Sequence, residues 1–256
     1  MALASDFCPG GTIQLQVSAG EGVAFVRGTI CCFVFKKGEA QLYLLTCGHV
    51  LSPPGKQRAN AIVYDSDKNP AGVISAGDLL FNEKVLEGMD AGLAKVTKVH
   101  EMTAENFNVA GTRTPLTGMV NMFGVPAQNW DVMVRGARTA GADPTPKPGK
   151  MNDAGYAGRF KIVPSKAGLQ QGLKWAEGDS GAPVYNQAGI LLAMVTSGSG
   201  PNGVGAFSIG FVFKAFQENG AELEIATWGN RTQWEAKVEE AAFSAAPVWT
   251  TNPLLR

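Results

Sequence analysis

Apolar and polar positions alternate in short runs along most of this chain, and few stretches hold a helical period. Ile13, Leu15 and Val17 alternate with polar neighbours, and apolar runs follow at 23–26, 29–35 and 42–47, punctuated by Gly20, Gly22, Gly28 and Gly38. Further short strands are predicted at 61–64, 72–75 and 91–96. Such a series predicts antiparallel strands joined by turns, and no βαβ rhythm accompanies it. The pattern restarts past the turn-rich stretch 112–118, with strands predicted at 120–125 and 131–139, so a boundary between two lobes is set near residues 110–116. Apolar runs at 184–185 and 190–195, separated by Asn186-Gln187-Ala188-Gly189, predict a hairpin. Residues 206–213 read as another strand. Residues 141–149, rich in proline, and 198–205 read as exposed loops. From about Lys214 the chain changes character: a helix is predicted over 232–243, followed by a polar terminus, and this tail reads as an appendage. The division is a first lobe at 1–112, a second at 113–216 and a C-terminal extension at 217–256.

Composition narrows the class. The chain has 256 residues, 45% of them hydrophobic, with 32 glycines and 14 prolines, which describes a globular, turn-rich protein; with the strand pattern, the expected class is all-β. No apolar stretch is long enough to cross a bilayer. With 22 basic and 22 acidic residues the formal charge is zero, so neither nucleic acid nor a membrane surface is expected as a partner, and protein or peptide partners are. The opening residues lack the basic start and long apolar run of a secretory signal, which predicts an intracellular, cytoplasmic location. Cys8, Cys31, Cys32 and Cys47 all fall in the first fifth of the chain, and the adjacent pair would point to opposite faces of a strand. No disulfide framework is expected, which suits a reducing compartment. Asn230-Arg231-Thr232 matches a glycosylation sequon and reads as a chance tripeptide.

Candidate chemistry centres on Gly178-Asp179-Ser180-Gly181-Ala182-Pro183-Val184, which reads as a tight turn presenting a serine hydroxyl before a hydrophobic strand. Flanking glycines leave room for a carbonyl group to approach the backbone. The two histidines, His49 and His100, both precede Ser180. That order excludes the α/β-hydrolase arrangement, and Ala182 breaks its G-x-S-x-G elbow. His49 ends an apolar strand and faces a turn, whereas His100 stands among charged residues and reads as solvated. Asp90 immediately precedes an apolar strand and can be buried there, where an imidazole N–H is a natural partner for its carboxylate. Asp65, Asp67 and Asp78 lie in turn-like sequence and read as solvated. Distant histidines and clustered cysteines without C-x-x-C spacing make no metal site, and no cofactor is expected. Cys47 beside His49 reads as a small buried residue, with a thiol nucleophile as the alternative.

Thr46-Cys47-Gly48-His49-Val50, Met89-Asp90-Ala91-Gly92-Leu93-Ala94 and Gly178–Val184 together resemble the three signatures of trypsin-like, chymotrypsin-fold serine proteases, in their usual order. The resemblance spans roughly residues 12–216. It implies two six-stranded antiparallel β-barrels with the catalytic groups between them, here followed by a C-terminal extension containing a helix. Carried over, Ser180 would be the nucleophile of a serine endopeptidase working through an acyl-enzyme, His49 its general base and then acid, and Asp90 the group that orients His49. The N–H groups of Gly178 and Ser180 would form the oxyanion hole, and Thr196, Ser197 and Gly198 would pair with an extended substrate. Lys174 and Trp175 would lie near the S1 pocket. A lysine there argues against basic P1 residues, and Trp175 stands where viral relatives that cut after Glu or Gln carry threonine. No Ile/Val-Val-Gly-Gly start is present to pair with Asp179, which must therefore find another partner. The expectation is a chain active without zymogen cleavage, as in intracellular, bacterial or viral polyprotein relatives. Val50 also replaces the disulfide cysteine of secreted members. The second reading is a catalytically silent chymotrypsin fold used as a binding module; the sequence leaves the oligomeric state open.

Overall fold

The structure, a computed structural model, describes residues 3–19, 22–39, 41–52, 58–74, 79–82, 89–120, 130–137, 145–153, 158–171, 175–197 and 203–234. Its first strands are β1 (Thr12–Ala19), β2 (Gly22–Thr29), β3 (Cys32–Lys36), β4 (Leu42–Thr46), β5 (Arg58–Tyr64), β6 (Pro70–Val73), β7 (Leu79–Asn82) and β8 (Met89–Val96). Beyond them come β9 (Gly118–Met119), β10 (Trp130–Val134), β11 (Lys147–Asp153), β12 (Arg159–Pro164), β13 (Pro183–Tyr185), β14 (Ile190–Ser197), β15 (Val204–Ser208) and β16 (Leu223–Ile225). Helices are few: α1 (Gly48–Leu51), α2 (Lys166–Gln170) and α3 (Ile209–Glu218).

The expected all-β architecture is present. In the first lobe the order is β2-β1-β5-β6-β8-β4-β3-β16, with β7 on β8, and every pairing is antiparallel. Strands β3 and β4 are buried almost throughout, which is why they read as continuous apolar runs and not as alternations. Only Ile30 and Cys31 separate β2 from β3, and Cys31 N–H already donates to Leu45 C=O at 2.8 Å. One bent stretch of chain thus pairs with β1 by its first half and with β4 by its second, and the sheet curls on itself. The second lobe closes completely: β10, β11, β12, β15, β14 and β13 form a six-stranded antiparallel barrel, with β9 added in parallel beside β14.

Three sequence expectations change. Residues 206–213 were expected as one strand, yet β15 ends at Ser208 and α3 begins at Ile209. Ile209, Phe211, Val212, Phe213, Ala215 and Phe216 are buried, while the exposed polar face of the helix, Lys214, Gln217 and Glu218, lies beyond residue 213, so the apolar run taken as a strand carries no polar position to reveal a helical period. The tail is no appendage: β16 pairs antiparallel with β3, Leu223 opposite Lys36, and Trp234 stacks on Phe107 at 5.1 Å between ring centres in the first lobe's core. Of the helix expected at 232–243, residues 232–234 are helical and the rest lie outside the described residues, as do 121–125 of the strand expected at 120–125. The loop expected at 141–149 is a strand from Lys147 onward, because β11 pairs with β10 and β12; residues 141–144 lie outside the described residues.

Asp65 is also not solvated. It is fully buried, and its carboxylate accepts N–H bonds from Ala4 at 2.9 Å, Asp67 at 2.9 Å and Asn69 at 2.8 Å. A buried carboxylate is tolerable only with such donors. It pins the N-terminal arm to the β5–β6 turn. Asp67 is exposed, and Asp78 lies outside the described residues. All four cysteines are free and buried. Among the described residues no helix is long and apolar enough to cross a membrane.

Candidate active site

Strand β4 runs through the core and ends at Thr46, after which the chain turns into the single helical turn α1 that carries His49. Strand β8 lies beside β4 with Gly92 opposite Thr46, so Asp90, two residues earlier on β8, arrives beside α1. His49 backbone N–H donates to Asp90 Oδ1 at 2.8 Å, and the His49 ring meets Asp90 Oδ2 through Nδ1. Both side chains are partly exposed. A carboxylate held by the backbone and the ring of the same residue sets both the tautomer and the orientation of that ring, leaving Nε2 as its free face. His100, by contrast, is 78% exposed, in agreement with its solvated reading.

The Ser180 turn is organised by glycine geometry. Gly178 and Gly181 have φ of 102° and 95°, which residues with a side chain rarely adopt. Within the turn Asp179 N–H donates to Ala176 C=O, Ala182 N–H to Asp179 C=O and Gly181 N–H to Val195 C=O, at 3.1, 2.9 and 2.8 Å. The N–H groups of Gly178 and Ser180 are left without an acceptor among the described residues. Ser180 beside them is half-buried. The Asp179 side chain is buried and accepts Ala176 N–H at 2.9 Å.

Two relays tie the residues before His49 to those around Ser180. In the first, Thr46 Oγ1 donates to Thr29 C=O at 2.7 Å, and Thr29 N–H donates to Ser180 C=O at 2.9 Å. In the second, Cys47 Sγ donates to Val195 C=O at 3.2 Å, the carbonyl that also receives Gly181 N–H. Burial pushes the Cys47 thiol well above its ordinary range, the Asp90 charge adds to this, and Gly181 N–H acts weakly the other way. Cys47 Sγ, a His49 ring nitrogen and an Asp90 oxygen lie within 4.8 Å of one another. That thiol already donates its hydrogen bond to a carbonyl, and burial disfavours the thiolate that a nucleophile would need.

The remaining expected residues divide. Trp175 is buried in the core of the second-lobe barrel, and its indole N–H has no partner among the described residues. Thr196 is buried on β14 with Oγ1 3.5 Å from Gly205 C=O, and Ser197 ends that strand. Lys174 and Gly198 lie outside the described residues. Sequence reasoning missed two residues. Thr29 sits at the junction of both lobes. Arg135 follows β10, is packed on Gly10 and has a guanidinium whose pKa is lowered by burial, against the opposing influence of Cys8, Asp179 and Asp6. A charged residue continuing an apolar strand was the available signal for Arg135; an ordinary threonine gave none.

No protein-family model and no curated protein sequence matches this chain. Solved structures similar to it include the Rv3671c protease of M. tuberculosis in its active form, at 15% identity and a TM-score of 0.46, covering 86% of this chain and 85% of that one. Kallikrein-related peptidase 10 in complex with Zn2+ aligns at 10% identity and a TM-score of 0.47, covering 84% and 99%. The thermostable serine protease AL20 from an extremophilic microorganism aligns at 16% identity and a TM-score of 0.47, covering 84% and 96%. These are trypsin-like serine proteases, and the likeness is one of fold.

Proposed function

We propose that this chain is a serine endopeptidase in which Ser180, His49 and Asp90 act as a catalytic triad. The observation that carries the reading is the His49–Asp90 pair, whose carboxylate holds both backbone and ring of the histidine. In this reading Ser180 Oγ attacks the scissile carbonyl while His49 Nε2 takes its proton. Asp90 keeps the Nδ1 proton in place and stabilises the imidazolium. The carbonyl oxygen becomes an oxyanion facing the N–H groups of Gly178 and Ser180. His49 then returns the proton to the leaving amine, giving an acyl-enzyme that water hydrolyses by the same steps.

Activity without zymogen cleavage belongs to the same proposal. Asp179 has Ala176 N–H on its carboxylate and the Arg135 guanidinium within its electrostatic reach, which supports a turn held by groups already in the chain. Thr196, Ser197 and Gly198 would line the extended substrate, and Lys174 would disfavour basic P1 residues. Trp175, being buried, would act on that pocket only as part of its wall.

A fluorophosphonate probe tests the reading directly. The protein as expressed should be labelled at Ser180, identified by mass spectrometry of the modified peptide, and Ser180→Ala should take no label. Folded protein that resists the probe would leave the binding-module reading in its place.

A further inference from the structure

Thr29 occupies an unusual position for a residue of the first lobe: every polar group it owns is spent at the boundary with the second. It ends β2 and is fully buried. Its N–H donates to Ser180 C=O at 2.9 Å, and its own C=O accepts Thr46 Oγ1 at 2.7 Å. Its hydroxyl donates to Gly178 C=O at 2.7 Å and accepts Ala137 N–H at 2.9 Å. The hydroxyl's one donor is in use, and so is one of its two acceptor lone pairs.

The two carbonyls it grips belong to Gly178 and Ser180, whose N–H groups are left over in the turn. Peptide units rotate as planes, so a held carbonyl immobilises the amide joined to it. Thr29 clamps the 178–179 and 180–181 units, and the Ser180 N–H belongs to the unit between them. The Gly178 N–H belongs to the 177–178 unit, which adjoins the clamped 178–179 unit at Gly178 Cα, where φ is 102°. We infer that Thr29 is a positioning residue for the oxyanion hole, holding the peptide units on either side of the Ser180 N–H so that this donor stays aimed at the reacting carbonyl oxygen. The inference rests on the serine-peptidase reading and adds to it a first-lobe residue that touches neither substrate nor the triad side chains.

A donor contributes to the transition state only when it is aimed at the developing charge, so removing the clamp acts on rate and not on substrate affinity. Thr29→Val keeps the shape of the side chain and removes the hydroxyl; Thr29→Ser keeps the hydroxyl. Both are compared with the unmodified protein in the acylation burst with p-nitrophenyl acetate and in the rate of fluorophosphonate labelling, with circular dichroism and tryptophan fluorescence checking the fold. The expected result is acylation by Thr29→Val slower by about tenfold to a hundredfold at similar KM, with Thr29→Ser close to the unmodified rate. Folded Thr29→Val acylating at the full rate overturns the inference. So does folded Thr29→Ser that loses the rate, a result readable even where the valine variant does not fold. A purely structural role would lower the unfolding midpoint of Thr29→Val and leave acylation by its folded fraction unchanged. If the unmodified protein takes no label and shows no burst, the peptidase reading itself falls, whatever the variants do.

Discussion

Asp90 accepts from His49 twice, at 2.8 Å from the backbone N–H and through the ring Nδ1; His49 stands on the helical turn that follows β4, and Asp90 on β8, the strand beside β4. The backbone bond matters as much as the ring bond, because it ties the position of α1 to the start of β8. Even partial burial of a carboxylate is unfavourable without donors; here both come from a single residue.

Asp90→Asn should therefore abolish most activity while leaving the fold intact. An amide still fits the site, yet it stabilises the wrong ring tautomer and cannot balance an imidazolium. The acylation rate should fall by about 10⁴-fold, measured with p-nitrophenyl acetate beside an unfolding curve close to that of the parent. A loss under tenfold would separate Asp90 from catalysis.

Gly181 leaves no space for a side chain. A Cβ there would stand 2.1 Å from Thr29 O and 2.3 Å from Thr46 Oγ1, at a φ of 95°. Gly181→Ala should cost about 2–4 kcal/mol in urea denaturation, combining left-handed backbone strain with overpacking against backbone that cannot yield. A variant as stable as the parent would mean that the two lobes sit less tightly here.

The buried thiols predict an alkaline loss of stability. Burial, with the charge of Asp6 secondary, pushes Cys8 up to about 12, and burial also raises Cys31 and Cys47 well above the ordinary 9.0. Below pH 9 these thiols are protonated whether the chain is folded or not, and their contribution is complete. Between about 9 and the folded values, the unfolded chain releases protons that the folded chain keeps. Each such thiol then removes about 1.4 kcal/mol of stability per pH unit. Urea midpoints at pH 7, 9 and 10.5 check the sign, and iodoacetamide at pH 8 should leave Cys47 unmodified in native protein.

Asp65→Ala tests the one buried carboxylate outside the candidate site that the sequence pattern misread. It would strand the N–H groups of Ala4, Asp67 and Asn69, and should cost about 2–4 kcal/mol. Faster hydrogen exchange at the Ala4 amide would show the N-terminal arm released. Unchanged exchange would mean that the arm is held by other contacts.

The site was legible in proportion to how local its determinants are. Ser180 between glycines, His49 at the end of an apolar run and Asp90 at the start of another are each visible within a few residues of sequence. Thr29 and Arg135 were not, because their roles depend on partners about 150 and 44 positions away along the chain. Asp65 misled for the same reason: its turn-like neighbours are real, yet Ala4 covers it from the far end of the lobe. The run at 206–213 misled differently, since the polar positions that mark the helix, Lys214, Gln217 and Glu218, fall beyond its end.

By itself, then, the amino-acid order determined an antiparallel β protein and offered Ser180, His49 and Asp90 as candidates for chemistry, because alternation and turn residues act over a few positions. Tertiary structure decided that the second lobe closes as a barrel, that the tail completes the first sheet, and that Thr29 links the strand leading to His49 with the turn carrying Ser180. Those outcomes depend on which distant backbone groups find one another when the core closes, and buried hydrogen bonds of that kind leave no mark on the local pattern.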